Sequence, residues 1–400
     1  MKKYGIGLFI ILIQCLLLGS GHPNYLILLS MDGFQWNYPN LTTTPHLDYF
    51  ADNGVKSEII PAFPSKTFPN HYTLATGLLP DHHGIVLNNH YNYDKQEWYR
   101  TSDRNKVEDG SFYGGEPIWN TAEKQSVRAG TLFWVGSEAD INGMHPSYWK
   151  KYQHDMLFAD RIDTLVSWLK KPINSRPRLI LWYLHQPDSW GHELGPDNPK
   201  LLQKIEYLDS LVGIFYHRIN QLAIKDSINI IITTDHGMGD ISKERVELLD
   251  NYIPKKWLSR TSGSNPIHMF EPKKEYFDRV YNALQQGSHF KCWKKSAIPA
   301  DFSYGKHSNI MPIVAVADSG WSLCWEADIQ DRDYLGGTHG YDPKNRDMHG
   351  IFYALGPDFK TAYSHNAFEN IHLYGLLCRL LNIDPAKNDG NIKNLEAMLK

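Results

Sequence analysis

Cysteine is scarce in this chain: four residues in 400, with Cys15 inside the amino-terminal apolar run. Removal of a leader would leave Cys292, Cys324 and Cys378, enough for one disulfide at most, and none stands in a Cys-x-x-Cys spacing. That excludes a disulfide-scaffolded fold and a thiolate metal site, so any metal must be held by oxygen and nitrogen. Cys292 with Cys324 is the expected pair, on their separation. A surplus of one charge is also lacking. With 41 Lys and Arg against 44 Asp and Glu, the formal net charge is -3, which leaves no footprint for bulk nucleic-acid binding. No apolar run is long enough for a comfortable membrane span. Repeats, low-complexity tracts and long linkers are missing as well, so one compact unit is expected. No Cys or Ser lies in a Cys/Ser-x-Pro-x-Arg context, which disfavours sulfatase chemistry.

What is present begins with residues 1–21, which have the form of an export signal. Lys2 and Lys3 supply the charged start, Ile6 to Leu18 the apolar run, and Gly19-Ser20-Gly21 the small-residue cleavage region. Residues 22–400 are then expected in the periplasm or outside the cell. Lipid attachment at Cys15 is disfavoured, because Gln14 precedes it and Leu16-Leu17-Leu18 follow.

Tyr25 to Met31 is an uninterrupted apolar run ending in Asp32-Gly33, the pattern of a strand buried on both faces that delivers an acid at its carboxyl end. Three later segments are expected to repeat the arrangement: Leu179 to Gln186 before Asp188, Ile228 to Thr234 before Asp235-His236, and His349 to Leu355 before Gly356-Pro357. Helical patterns lie between or near them, at Asp160 to Lys170, Pro199 to Leu222 and Tyr276 to Gln286. The alternation predicts an α/β fold, a doubly wound and mostly parallel sheet flanked by helices, with ligands gathered outside the carboxyl ends of the strands. Residues 242–335 are expected to form a small inserted subdomain, with a strand over Met311 to Ala317 and with Tyr304 to His307 as a surface loop. His268 and His307 are not expected to bind metal.

Pro64 to Tyr72 places Thr67 at a loop-to-helix turn, where unpaired N–H groups and the helix dipole favour an anion. Thr67 is therefore a candidate nucleophile. Asp32, Asp188, His192, Asp235, His236 and His339 add six ligand-type residues in Gly-bearing loops. Carboxylate and neutral imidazole suit zinc and similar divalent ions. Six ligands exceed one tetrahedral site; two sites of three fit better, and two ions roughly 4 Å apart can hold the attacking and leaving oxygens of a phosphoryl displacement.

Met31-Asp32-Gly33, Lys66-Thr67-Phe68-Pro69-Asn70-His71, Pro187-Asp188-Ser189-Trp190-Gly191-His192, Thr234-Asp235-His236-Gly237-Met238 and Gly337-Thr338-His339-Gly340 together resemble the nucleotide pyrophosphatase/phosphodiesterase family of the alkaline phosphatase superfamily. The resemblance covers roughly residues 24 to 383 and implies two zinc ions. Asp32, Asp235, His236 and Thr67 would hold one, and Asp188, His192 and His339 the other. It further implies that Asn88 binds a phosphate oxygen, and that a nucleobase enters an aromatic slot between Phe68 and Tyr183, with Tyr152 and Trp134 as further pocket aromatics and Lys66 beside the substrate. The implied reaction hydrolyses nucleotide phosphodiester or pyrophosphate bonds through a covalent phospho-threonine and releases nucleoside 5′-monophosphates. Two departures bear on the pocket: His185-Gln186 stands where an acidic pair is usual, and Val135 where a proline is. The competing readings are a phosphomonoesterase, a diesterase for phosphocholine-type lipid headgroups, and an exported nucleotide-binding protein without turnover.

Overall fold

The computed structural model describes residues 24–329 and 336–400. The expected leader with Cys15, and residues 330–335 at the end of the expected insertion, lie outside the described residues.

Tyr25–Met31 forms β1, buried along its whole length. Its apolar residues are buried on both faces because it lies at the centre of a nine-stranded sheet. The other main strands are β2 (Val55–Ile60), β3 (Ala129–Leu132), β4 (Tyr148–Lys150), β5 (Leu179–Leu184), β6 (Ile228–Thr233) and, much later in the chain, Gly350–Leu355. From β2 the order runs through Gly350–Leu355, β6, β1, β5 and β3 to β4. β1 pairs in parallel with β5 and β6, in a register that sets Ser30 beside both Tyr183 and Thr233.

One strand departs from the sequence expectation. Gly350–Leu355 runs antiparallel to both β2 and β6. Its carboxyl end at Gly356 therefore points away from the edge where Asp32, Asp188 and Asp235 emerge. It contributes to that edge through the chain that precedes it, which carries His339. An apolar run does not reveal strand direction, and this one is buried at all but its last residue, much like the parallel strands β1, β5 and β6.

Helices cover the sheet. Pro199–Asn220 starts where the Asn198 side chain accepts a hydrogen bond from Lys200 N–H, with proline in the first turn. It buries Leu201, Ile205, Leu208, Val212, Phe215 and Ile219 in one stripe, with Phe215 packed edge-on against Trp182 of β5. Phe158–Leu169 and Phe277–Leu284 occupy the other expected helical segments with ends shifted by one or two residues. Among the described residues no helix is long and apolar enough to cross a membrane.

Between β6 and Gly350–Leu355 lies a four-stranded antiparallel sheet, made of Leu258–Ser264, Ile267–Pro272, Phe290–Lys294 and Ile313–Ala317. It carries its own apolar cluster around Phe270, Ile313 and Trp325. The expected surface loop at 304–307 is anchored instead: Tyr304 is buried, and the Asp81 carboxylate accepts from the N–H groups of Gly305, Lys306 and His307. His268 is buried with Nε2 on the Leu323 carbonyl.

The cysteine pairing expected from spacing does not occur. Cys292, Cys324 and Cys378 are all buried and no disulfide joins them. Each packs in a different apolar cluster, so the fold keeps them apart.

Candidate active site

Parallel strands bring the chemistry to one edge. Asp32 follows β1, Asp188 opens the helix Asp188–Leu194 after β5, and Asp235 and His236 follow β6. β2 leads through Pro61 to Lys66 into the helix Thr67–Thr76. Lys66 is the cap position there and makes no side-chain cap, so Thr67 is the first helical residue and not a capping side chain. Its Oγ lies 3.2 Å from His236 Nε2. Asn88 Oδ1 accepts from Phe68 N–H at 2.9 Å, which satisfies one of the unpaired donors at this helix start and turns the amide Nδ2 elsewhere.

The imidazoles all present the same nitrogen. His192 Nδ1 donates to Gly337 O at 2.8 Å, His236 Nδ1 to Gly237 O at 2.8 Å, and His339 Nδ1 to Ser65 O at 2.7 Å. Carbonyls only accept, so each Nδ1 carries the hydrogen, and each ring in its neutral form turns an Nε2 lone pair inward. Those lone pairs face carboxylates. Asp188 Oδ1 lies 3.4 Å from His192 Nε2 and 3.5 Å from His339 Nε2. His236 Nε2 lies 3.4 Å from Asp32 Oδ1 and 3.0 Å from Asp235 Oδ2. The oxygens involved, Asp32 Oδ1, Asp188 Oδ1 and Asp235 Oδ2, are buried and accept no hydrogen bond. Lone pairs facing anionic oxygens across about 3 Å repel unless a proton or a metal ion lies between them, and divalent ions accept both donors. The donor set therefore fits metal. Ligand atoms of Asp188, His192 and His339 fall within 4.8 Å of one another, and so do those of Asp32, Asp188 and His236.

The remaining carboxylate oxygens are held. Asp32 Oδ2 accepts from the Tyr183 hydroxyl at 2.6 Å, and Asp235 Oδ1 from Gly33 N–H and the Thr234 hydroxyl, both at 3.2 Å. Burial, reinforced by Asp235 and Asp188, pushes the Asp32 carboxyl well above the usual carboxylate range. Without metal Asp235 is held well below it: burial opposes ionisation, but the positive charge of His236 and His71 in their protonated forms outweighs it, and Asp235 in turn raises His236 against its burial. Burial, with His236 and Lys66 adding to it, drives His339 well below the ordinary imidazole value. The same cause takes the buried Lys66 ammonium down to about 7. Lys66 Nζ donates to Asn265 O at 2.7 Å.

A cavity of about 950 Å³ opens beside this cluster, lined by Lys66, Thr67, Asn88, Asp188, His192 and His339 together with Ser264, Asn265 and Asp328. The expected aromatic slot needs correction at two positions. Trp134 is 1% exposed, with its indole N–H on the His71 carbonyl, and is a core residue. Tyr183 is buried with its hydroxyl committed to Asp32, so it supports a carboxylate and does not form an open wall. Phe68 and Tyr152 are the half-buried rings of the expected set, Tyr152 with its ring centroid 6.3 Å from that of Tyr183. Sequence reasoning also passed over His71, whose ring touches Thr67, Asp235 and Ser30. Its position four residues after Thr67, on the same helix face, was the available signal.

A family model described as type I phosphodiesterase / nucleotide pyrophosphatase matches residues 26–342. The chain belongs to this family. Among its relatives, human ectonucleotide pyrophosphatase/phosphodiesterase family member 5 is 35% identical over 379 residues, covering 93% of this chain and 77% of that protein. Venom phosphodiesterase CdcPDE of Crotalus durissus collilineatus is 32% identical over 389 residues, covering 94% of this chain and 46% of that protein. The solved structure of murine member 5, an inactive threonine-to-alanine variant in complex with AMP, superimposes with a TM-score of 0.89 at 33% identity, over 94% of this chain and all of that one. The alkaline phosphatase-like fold expected from the sequence is thereby established.

Proposed function

We propose that this member of the nucleotide pyrophosphatase/phosphodiesterase family hydrolyses phosphodiester or pyrophosphate bonds of nucleotides and releases nucleoside 5′-monophosphates, with Thr67 as nucleophile and two zinc ions as cofactors. Asp32, Asp235, His236 and Thr67 would hold one ion, and Asp188, His192 and His339 the other. The observation that carries this reading is the set of orphaned carboxylate oxygens and inward imidazole lone pairs beside Thr67 Oγ. When bound, the ions supply positive charge that favours the alkoxide form of the threonine and the departing oxygen.

The chain's own groups do the rest. The Thr67 oxygen attacks phosphorus in line as the bond to the leaving oxygen breaks, giving a phospho-threonine that still bears the nucleoside. Asn88 Nδ2 and N–H groups at the helix start donate to the phosphoryl oxygens as charge spreads over them. Water then attacks the phospho-threonine from the opposite side, returns the Thr67 hydroxyl and frees the monophosphate. Phe68 and Tyr152 offer flat faces for a base, and stacking tolerates any of them. The relative bound to AMP, inactive after loss of a threonine, supports both the product and the nucleophile type. Relatives named as ectoenzymes and venom enzymes support export of this chain after removal of residues 1–21.

The test is a paired rate assay on zinc-loaded protein with p-nitrophenyl thymidine 5′-monophosphate and p-nitrophenyl phosphate. A chelator-sensitive preference for the diester is expected. Preference for the monoester would make the chain a phosphatase, and inactivity on both would leave lipid-headgroup diesters or simple nucleotide binding as its function.

A further inference from the structure

His71 is not among the metal ligands or substrate contacts assigned above, yet it is completely buried and makes a polar contact with three different elements of the site. Its Nδ1 lies 3.1 Å from the carbonyl oxygen of Thr67, one turn back on the same helix, and 3.3 Å from Asp235 Oδ2, beyond the end of β6. Both neighbours are acceptors only, so Nδ1 carries a hydrogen. On the other side of the ring, Nε2 lies 2.9 Å from the hydroxyl of Ser30, two residues before Asp32 on β1. Trp134 and Tyr183 clamp the ring edge-on, with centroids 5.3 and 5.0 Å away. The imidazole thus has one orientation, which it cannot change without losing a partner in a buried place where no water replaces it.

We propose that His71 is the positioning residue that sets the nucleophile against its metal-holding carboxylate. Its Nδ1–H fixes the backbone of Thr67 and, from 3.3 Å, attracts Asp235 Oδ2 without a full hydrogen bond, so that oxygen is oriented and keeps its lone pairs for a cation. Ser30 holds the ring from behind. This rests on the assignment of Thr67 and Asp235 in the preceding subsection. Asp188, His192 and His339 make no contact with the His71 ring among the described interactions. Loss of His71 function therefore weakens one metal site and leaves the other intact.

Side-chain geometry supplies a discriminating pair of variants. The amide Nδ2 of asparagine stands at the same bond separation from the backbone as His Nδ1, whereas the Nε2 of glutamine matches His Nε2. His71→Asn can keep the donor toward Thr67 and Asp235; His71→Gln can keep only the contact with Ser30. The full-length protein is titrated with Zn2+ against a competing chelator, and kcat and KM are measured for p-nitrophenyl thymidine 5′-monophosphate. His71→Gln is expected to lose about 10- to 100-fold in affinity for one of two zinc ions, the range for removing an outer support of a ligand. Its kcat should fall while KM stays near wild type. His71→Asn should stay closer to wild type than His71→Gln in both quantities, and Ser30→Ala should fall between them. Equal losses in the Asn and Gln variants, or zinc affinities unchanged in both with only a lower thermal midpoint, would reduce His71 to a packing residue. Absence of zinc binding by the wild-type chain would instead overturn the metal assignment itself.

Discussion

Tyr183 donates its hydroxyl to Asp32 Oδ2 at 2.6 Å, while Oδ1 of the same carboxylate faces His236 Nε2 at 3.4 Å without a hydrogen bond. A ring expected to line a base pocket is thus used to aim a carboxylate. Tyr183→Phe keeps the buried ring and its packing on His71 and removes one donor. Zinc affinity is expected to fall about 10-fold, at the low end of the range for an outer support. Chelator competition reads this directly, and a variant with unchanged affinity would show that Asp32 needs no such support.

Thr67 sits at the helix start with its oxygen on His236 and no capping role. Thr67→Ala should cost at least about 10³-fold in kcat on the diester, as removal of a nucleophile does when the remaining groups persist. Thr67→Ser retains an oxygen on the same carbon framework and should keep most of the activity. Alanine activity within 10-fold of wild type would remove the covalent step.

Without metal the Asp32 carboxyl is buried beside Asp235 and Asp188, which disfavour its ionised form. Addition of Zn2+ to chelator-stripped protein should therefore raise its stability, by about 2.7 kcal/mol for each site at a free concentration 100 times its Kd. Denaturant midpoints with and without zinc measure this. The double variant Asp188→Asn, His339→Gln should show a reduced gain.

His268 is not a member of the ligand cluster; it is buried on the Leu323 carbonyl, and burial takes its imidazole down to about 4. Its folded value is below its unfolded value, so between about pH 4 and 6.5 the unfolded chain binds more protons and stability falls on acidification. The group can add at most about 1.4 kcal/mol per pH unit to that slope. In His268→Gln, whose amide can reach the same carbonyl, the slope of stability against pH should be shallower by up to this amount. An unchanged slope would assign the acid sensitivity to other groups.

The amino-acid sequence by itself determined which residues meet at the strand edge. Buried apolar runs at Tyr25 to Met31, Leu179 to Leu184 and Ile228 to Thr233 need partners on both faces, and parallel strands place Asp32, Asp188 and Asp235 on one side of the sheet. Thr67, His192, His236 and His339 were recognisable from ligand chemistry and spacing around Gly. Other features were decided by tertiary contacts, because each depends on a residue distant in the chain. Gly350–Leu355 runs antiparallel to β6 though both are apolar, buried runs. Trp134 is core because the His71 carbonyl takes its N–H, and the cysteines stay apart because three separate clusters enclose them. The imidazole tautomers follow from carbonyls at Ser65, Gly237 and Gly337. Local patterns specify burial and ligand type; only the folded backbone supplies the acceptors that orient each donor.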